Sequence, residues 1–152
     1  MTTTLRKMLI LHEGLRQKAY DDATAKTLRP GKTLEGKLTI GVGRNLTDRG
    51  LTRSEIDFML DHDIDRATRG AATYPWFSAL NEPRQAVCVS MVFCCGPNGW
   101  RGFKKTHLAL SKSRWDTAAI ELLDSRFAEQ VGDRALHLAE MLRTGRWIDI
   151  PS

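Results

Sequence analysis

A chain of 152 residues with 23 lysines and arginines against 18 aspartates and glutamates carries a formal charge of +5. With 41% hydrophobic and 27% charged residues, and a length at which folding buries roughly 68–70% of the unfolded surface, one self-supporting domain over residues 1–152 is expected, and disorder, collagen and coiled coil are excluded. The longest apolar runs, Met8 to Leu11 and Cys88 to Cys95, are too short to cross the roughly 30 Å of a bilayer core, and none has signal-peptide length.

Leu5, Met8 and Leu9 follow i, i+3, i+4 spacing and predict a short helix over residues 4–12 that stops at Gly14. Glu13 then falls at the helix end, where exposed carbonyls and the negative end of the dipole make a carboxylate unwelcome. An acid placed against local preference hints at a role, although a lone Glu before Gly is usually a solvated turn residue.

From Tyr20 to Gly43 the period changes. Asp21, Asp22, Pro30, Gly31, Gly36, Gly41 and Gly43 punctuate short extended pieces, and Lys37 to Val42 alternates polar and apolar. This predicts a small antiparallel sheet of two or three strands with a loop around Arg29 to Lys32. Thr52 and Glu55 form a capping box ahead of Ile56, Met59, Leu60, Ile64 and Ala67, so a long helix is expected from about Thr52 to Ala72, ended by Pro75.

Trp76, Phe77 and Leu80 then suggest a short turn, and Pro83 to Cys95 an apolar central helix, with a break from Gly96 to Gly102. The cysteines, Cys88, Cys94 and Cys95, are odd in number and share that segment, so they read as buried reduced thiols, with neither disulfide nor zinc expected. Trp115 to Glu129 and Asp133 to Arg143 read as amphipathic helices. The fold class expected is α+β, mainly helical: a sheet lobe at about residues 14–60, joined by one helix to a helical lobe made of residues 1–13 and 73–152.

Nucleophile elbows, a complete dinucleotide fingerprint and a phosphate loop are absent from the sequence. The surviving chemistry is a carboxylate pair, Glu13 and Asp22, nine residues apart across a helix-to-strand turn. Two carboxyls flanking one bond are what glycoside cleavage needs, but 18 acids offer many pairs.

The ordered motifs are more specific. Glu13-Gly14-Leu15-Arg16, Tyr20-Asp21-Asp22 and Leu38-Thr39-Ile40-Gly41-Val42-Gly43 resemble the catalytic signature of phage-type lysozymes, the family typified by the lysozyme of phage T4. Met91-Val92-Phe93, Gly102-Phe103, Arg114-Trp115-Asp116, Ser125-Arg126, Asp133-Arg134-Ala135 and Arg143-Thr144-Gly145-Arg146-Trp147 continue the match in the same order, so it spans residues 8–147.

The resemblance implies a two-lobed lysozyme fold and a muramidase that hydrolyses the β-1,4 bond between N-acetylmuramic acid and N-acetylglucosamine with inversion. It implies Glu13 as general acid, Asp22 as base on the attacking water, Thr39 as a holder of that water and Arg134 as a supporting residue that orients the glutamate. Asn45, Phe93, Thr106 and Glu121 fall on sugar-contacting positions of the family, Asn45 and Glu121 with different residue types. Composition alone would put Phe93 in the core.

The stretch Ala23 to Leu38, with Lys26, Arg29, Lys32 and Lys37, is longer than the family hairpin and extends a basic lip. Arg44 stands where the family often has histidine, and Cys94 replaces a polar residue. The expected partners are peptidoglycan and the anionic envelope around it, with a phage holin for release. No cofactor, metal or nucleic acid is expected, and a monomer is. Synthesis in the host cytoplasm and action on the wall would follow. A lytic transglycosylase, which needs no water-activating aspartate, and a non-catalytic wall binder are the rival readings.

Overall fold

A computed structural model describes residues 3–149; the expected domain ends, residues 1 and 152, lie outside them. The architecture is mainly helical α+β, with seven α-helices and one three-stranded sheet among the described residues. The chain divides into two compact units, residues 1–57 and 58–152.

The first unit opens with α1 (Thr3–Glu13), followed by β1 (Arg16–Asp21), β2 (Leu38–Gly41) and β3 (Arg44–Asn45). The sheet is antiparallel in the order β1-β2-β3, with Tyr20 opposite Thr39 and Thr39 opposite Asn45. Its buried residues are Tyr20, Asp21 and Thr39. One aromatic and two polar side chains make little of a hydrophobic core, so this unit depends on hydrogen bonding to fix its shape.

Helix α2 (Arg53–Ala71) starts as its capping box dictates: Thr52 N–H donates to Glu55 Oε2 at 2.8 Å, and Glu55 N–H donates to Thr52 Oγ1 at 3.3 Å. In the second unit a single 3₁₀ turn (Phe77–Ala79) leads to α3 (Glu82–Arg101), capped by Asn81 and opened by Pro83. There follow α4 (Lys104–Ser111), α5 (Trp115–Leu123), α6 (Arg126–Val131) and α7 (Asp133–Thr144).

Two expected boundaries are corrected. The stretch Trp115 to Glu129 is two helices, because Ser125 leaves the helical region (φ −136°, ψ 152°) and its hydroxyl caps α6 by accepting from Ala128 N–H. The break expected over Gly96 to Gly102 falls at its two ends: Gly96 (φ 69°, ψ 169°) interrupts the helix, which resumes at Pro97, where the missing N–H costs nothing in a first turn, and ends at Arg101 with Gly102 as its cap.

All the apolar residues of the hydrophobic core come after Arg66. Val87, Cys88 and Met91 of α3 are fully enclosed, with Ala118 and Leu122 of α5 and Leu142 of α7. Each large side chain so buried contributes about 1.5–3 kcal/mol. Arg84 ties α3 to the C-terminus of α7, its Nε donating to the Leu142 carbonyl at 2.8 Å while the guanidinium stacks 4.0 Å over Trp115.

The cysteines do not share one environment, contrary to the expectation of three buried thiols. Cys88 is buried, Cys95 partly so and Cys94 exposed, Cys94 coming two residues before the helix is interrupted at Gly96. Phe93 is 47% exposed rather than in the core. Trp147 is half-exposed. Among the described residues no helix is long and apolar enough to cross a membrane, and no cluster of three potential ligands is placed to hold a metal ion.

Candidate active site

Glu13 is the last residue of α1, which stops where Gly14 turns left-handed (φ +76°) and its N–H closes on the Ile10 carbonyl at 2.9 Å. The exposed carboxyl lies against the turn between β2 and β3. A Cβ on Gly43 would stand 2.7 Å from Glu13 Oε2 and 3.2 Å from its Cδ. Gly43 is itself left-handed (φ +64°), so the turn calls for glycine, and a side chain there would also push the carboxyl end of Glu13 aside.

Asp22 immediately follows β1. Its N–H donates to the Lys37 carbonyl at 3.1 Å, and its Oδ1 accepts the Lys37 N–H at 2.6 Å. Thr39, two residues on and buried in β2, donates its hydroxyl to the same Lys37 carbonyl at 3.3 Å. The peptide groups of Lys37 therefore anchor both the aspartate and the threonine. Because the threonine's proton is spent on that carbonyl, its oxygen is left as an acceptor.

Asp21, to which the sequence assigned no role, holds this arrangement from behind. Its buried carboxylate accepts from Glu35 N–H at 2.6 Å and from Ala23 and Gly36 N–H at 3.0 Å each. The Glu35 bond is the main reason its carboxyl sits below the ordinary carboxylate range, with burial opposing. The Asp21 to Ala23 bond is a local Asx turn, and an Asp-Asp doublet at a strand end is the signal that could have found it.

Below the sheet, Arg44 makes a bidentate pair with Glu55, with Nη1 donating to Oε2 at 2.9 Å and Nη2 to Oε1. That guanidinium, with the Thr52 cap, pushes Glu55 down to about 2. The same pair fixes β3 to the start of α2. Asn45, a candidate sugar contact, is engaged with the turn that follows it: its Nδ2 donates to Asp48 Oδ2 at 2.9 Å, and its Oδ1 accepts Asp48 N–H at 3.0 Å.

The remaining candidates belong to the second unit and occupy three places on it. Arg134, near the start of α7, directs Nη2 at Ser90 Oγ (3.2 Å) and Cys94 Sγ, both on α3. Phe93 lines a cavity of about 350 Å³ with Asp63, Arg66 and Pro97. Thr106, almost wholly buried, and Glu121, 3.6 Å from Lys105 Nζ, share another of about 580 Å³.

Residues 11–140 match the family model for phage lysozyme. The chain belongs to the phage lysozyme family. It is therefore a glycoside hydrolase of the lysozyme type, with peptidoglycan as its substrate. Two relatives from Dictyostelium discoideum, probable T4-type lysozymes 1 and 2, are 23% and 22% identical to it over 175 residues, each alignment covering 95% of this chain and 96% of the relative. The family match begins two residues before Glu13 and includes Asp22, Thr39, Gly43 and Arg134, so this lysozyme carries its carboxylate pair within the matched region.

Proposed function

We propose that this lysozyme is an inverting endo-muramidase that cleaves the β-1,4 bond between N-acetylmuramic acid and N-acetylglucosamine. Glu13 gives its proton to the departing glycosidic oxygen as the bond from the anomeric carbon breaks. A water attacks from the opposite face, Asp22 takes its proton, and the new C–OH bond leaves the product inverted. Solvent returns a proton to Glu13 and removes one from Asp22 for the next turnover. Ionised Asp22 also opposes the positive charge that builds on the sugar ring in the transition state.

The observation that carries this reading is the double use of Lys37. One peptide unit orients the Asp22 carboxylate through its N–H, and the Lys37 carbonyl takes the Thr39 proton. A water donating one hydrogen to Thr39 Oγ1 and the other to Asp22 satisfies both groups. Such a water needs room, and inversion requires a carboxyl separation of roughly 6.5–9.5 Å. Arg134 is assigned the orientation of Glu13, and Asn45, Phe93, Thr106 and Glu121 are assigned contacts to sugar.

In the same reading residues 1–152 act as one catalytic domain and as a monomer, without cofactor, metal or nucleic acid. The enzyme is a phage endolysin, made in the host cytoplasm and reaching the wall when a holin opens the membrane. Lysis of an expressing cell only on co-expression of a holin tests that part.

Purified peptidoglycan digested with the protein and analysed by mass spectrometry tests the chemistry. Reducing muramic ends are expected, with the α-anomer formed first. Anhydro-muramic ends would instead mean transglycosylation, and intact glycan a binder. Glu13→Gln is expected to abolish turnover with the fold retained, and Asp22→Ala to remove the base separately.

A further inference from the structure

The long loop between β1 and β2 encloses a cavity of about 580 Å³ that the reaction just described does not use. Three cations line it, Lys26, Arg29 and Lys32, with two acids, Asp21 and Glu35. Both Asp21 oxygens are already taken by backbone N–H groups, which offset its charge locally. Among the described residues Lys26, Arg29 and Lys32 make no ion pair, so three cations face one uncommitted carboxylate.

The backbone carrying these cations is fixed. Asp21 N–H donates to the Lys26 carbonyl at 3.0 Å, Thr27 pairs with Tyr20, and Leu28 N–H donates to the Ala19 carbonyl at 3.0 Å. Arg16 Nη1 grips the Ala25 carbonyl at 2.6 Å, and a turn closed by Lys32 N–H on the Arg29 carbonyl (3.2 Å) brings those two residues together. Like charges lining one cavity repel one another and are relieved by a bound anion, and the fixed backbone leaves only their side chains to order.

From this we infer that the loop cavity is an anion subsite of the enzyme, filled by carboxylates of the peptide carried on the muramoyl residue of its substrate. The inference rests on the muramidase reading. The sugars of the glycan are uncharged apart from what is attached to them, so the cavity's charge answers to a substituent rather than to the ring. Asp21, in the cavity wall, is the residue before Asp22, so a substituent on the sugar at the cleavage point lies within reach. Phosphodiesters of wall polymers offer the same charge, and walls with and without them separate the two sources.

The experiment compares three substrates from one wall preparation: glycan freed of phosphate polymers and bearing its peptides, the same glycan stripped by an amidase, which removes the peptide carboxylates and leaves only the lactyl carboxylate at the ring, and the wall with its phosphate polymers retained. Reducing ends are followed at 0.15 M salt for the wild type, for Lys26→Gln/Arg29→Gln/Lys32→Gln, and for a variant of equal charge altered in the second unit, Arg101→Gln/Lys112→Gln/Arg146→Gln. The loop variant is expected to raise KM about tenfold on peptide-bearing glycan, with kcat little changed, as for lost charge-assisted hydrogen bonds. On stripped glycan it should match the wild type, and the second-unit variant should match it on both.

Equal loss on both glycans, or no loss on either, overturns the subsite while leaving the muramidase reading in place. A loss seen only with walls that retain phosphate polymers overturns the assignment to peptide carboxylates. A wild type that cleaves neither glycan overturns the muramidase reading, and the subsite with it.

Discussion

The carboxyl of Glu13 rests on Gly43, in the turn between β2 and β3, so closely that a methyl group there would meet Oε2 at 2.7 Å. The acid at the end of a helix is thus placed by a missing side chain on the sheet. Gly43→Ala adds that methyl and also imposes a left-handed φ on a residue with a Cβ, which costs about 1–2 kcal/mol. Displacing a catalytic group by about 1 Å can cost roughly 10²-fold in rate, and a loss of that order in kcat is expected. Gly50→Ala is the control, since Gly50 is equally left-handed (φ +59°) with nothing within 4 Å. It should lower Tm similarly and leave wall hydrolysis intact. Equal kcat for the two variants would show that Gly43 serves only the turn.

Asp21 makes a second prediction. Three backbone N–H groups converge on its carboxylate, so Asp21→Asn turns an amide donor toward donors and leaves at least one unpaired. Hydrogen exchange at Glu35 and Gly36 is expected to rise roughly tenfold or more, with little change in α7, because local opening and not global unfolding is affected. The sign with pH follows from the lowered carboxyl. Its stabilising contribution is complete above the ordinary value of 3.8 and is lost as pH falls through the lower folded value. Unchanged exchange in the loop would remove Asp21 as its clamp.

These two residues also show what the sequence made legible. The capping box at Thr52 and Glu55, the stop at Gly14 and the alternation of Lys37 to Val42 are local signals, and each appears in the fold within a residue or two. Glu13, Asp22 and Thr39 stood out through ordered motifs. Asp21 and Gly43 lay inside those motifs without a role, because their function depends on partners at residues 35 and 13, which no local pattern announces. Ser125 was missed as a helix break because the apolar spacing on either side continues through it, and a cap outweighs periodicity there. Composition puts Phe93 in the core, yet a helix buries only one face, and Val87, Cys88, Met91 and Val92 take it, leaving Phe93 on the opposite side.

The Arg44–Glu55 pair predicts an acid-sensitive joint between β3 and α2. Glu55, held down to about 2, contributes in full above its ordinary 4.5, and the contribution is lost as pH falls from there through about 2. Both side chains are about one-third exposed, so salt screens part of the effect. Arg44→Ala is expected to raise the Glu55 pKa from about 2 toward its ordinary 4.5, read by carbon-detected NMR titration, with the Thr52 cap keeping it below that value. A Glu55 that titrates unchanged in that variant would mean the cap alone holds it down.

Arg134 perches on α3, where its Nη2 meets Ser90 Oγ and Cys94 Sγ. Cys88 is enclosed and its thiol pushed up to about 12 by burial, so it is inert to alkylation in the native state, whereas Cys94 is exposed. Cys95, half-buried and also pushed up, falls between them. Iodoacetamide followed by peptide mass spectrometry should therefore label Cys94 first, Cys95 slowly and Cys88 only on unfolding. A carbamidomethyl group on Cys94 displaces the guanidinium from its acceptor. If Arg134 orients Glu13, kcat should fall as label at Cys94 accumulates, with KM and Tm little changed. Cys94→Ser keeps an acceptor for Nη2 and cannot be alkylated there, so it should retain activity and resist the reagent. Full activity in wild type labelled at Cys94 would separate Arg134's perch from the reaction and leave the cysteine as a contact of the second unit only.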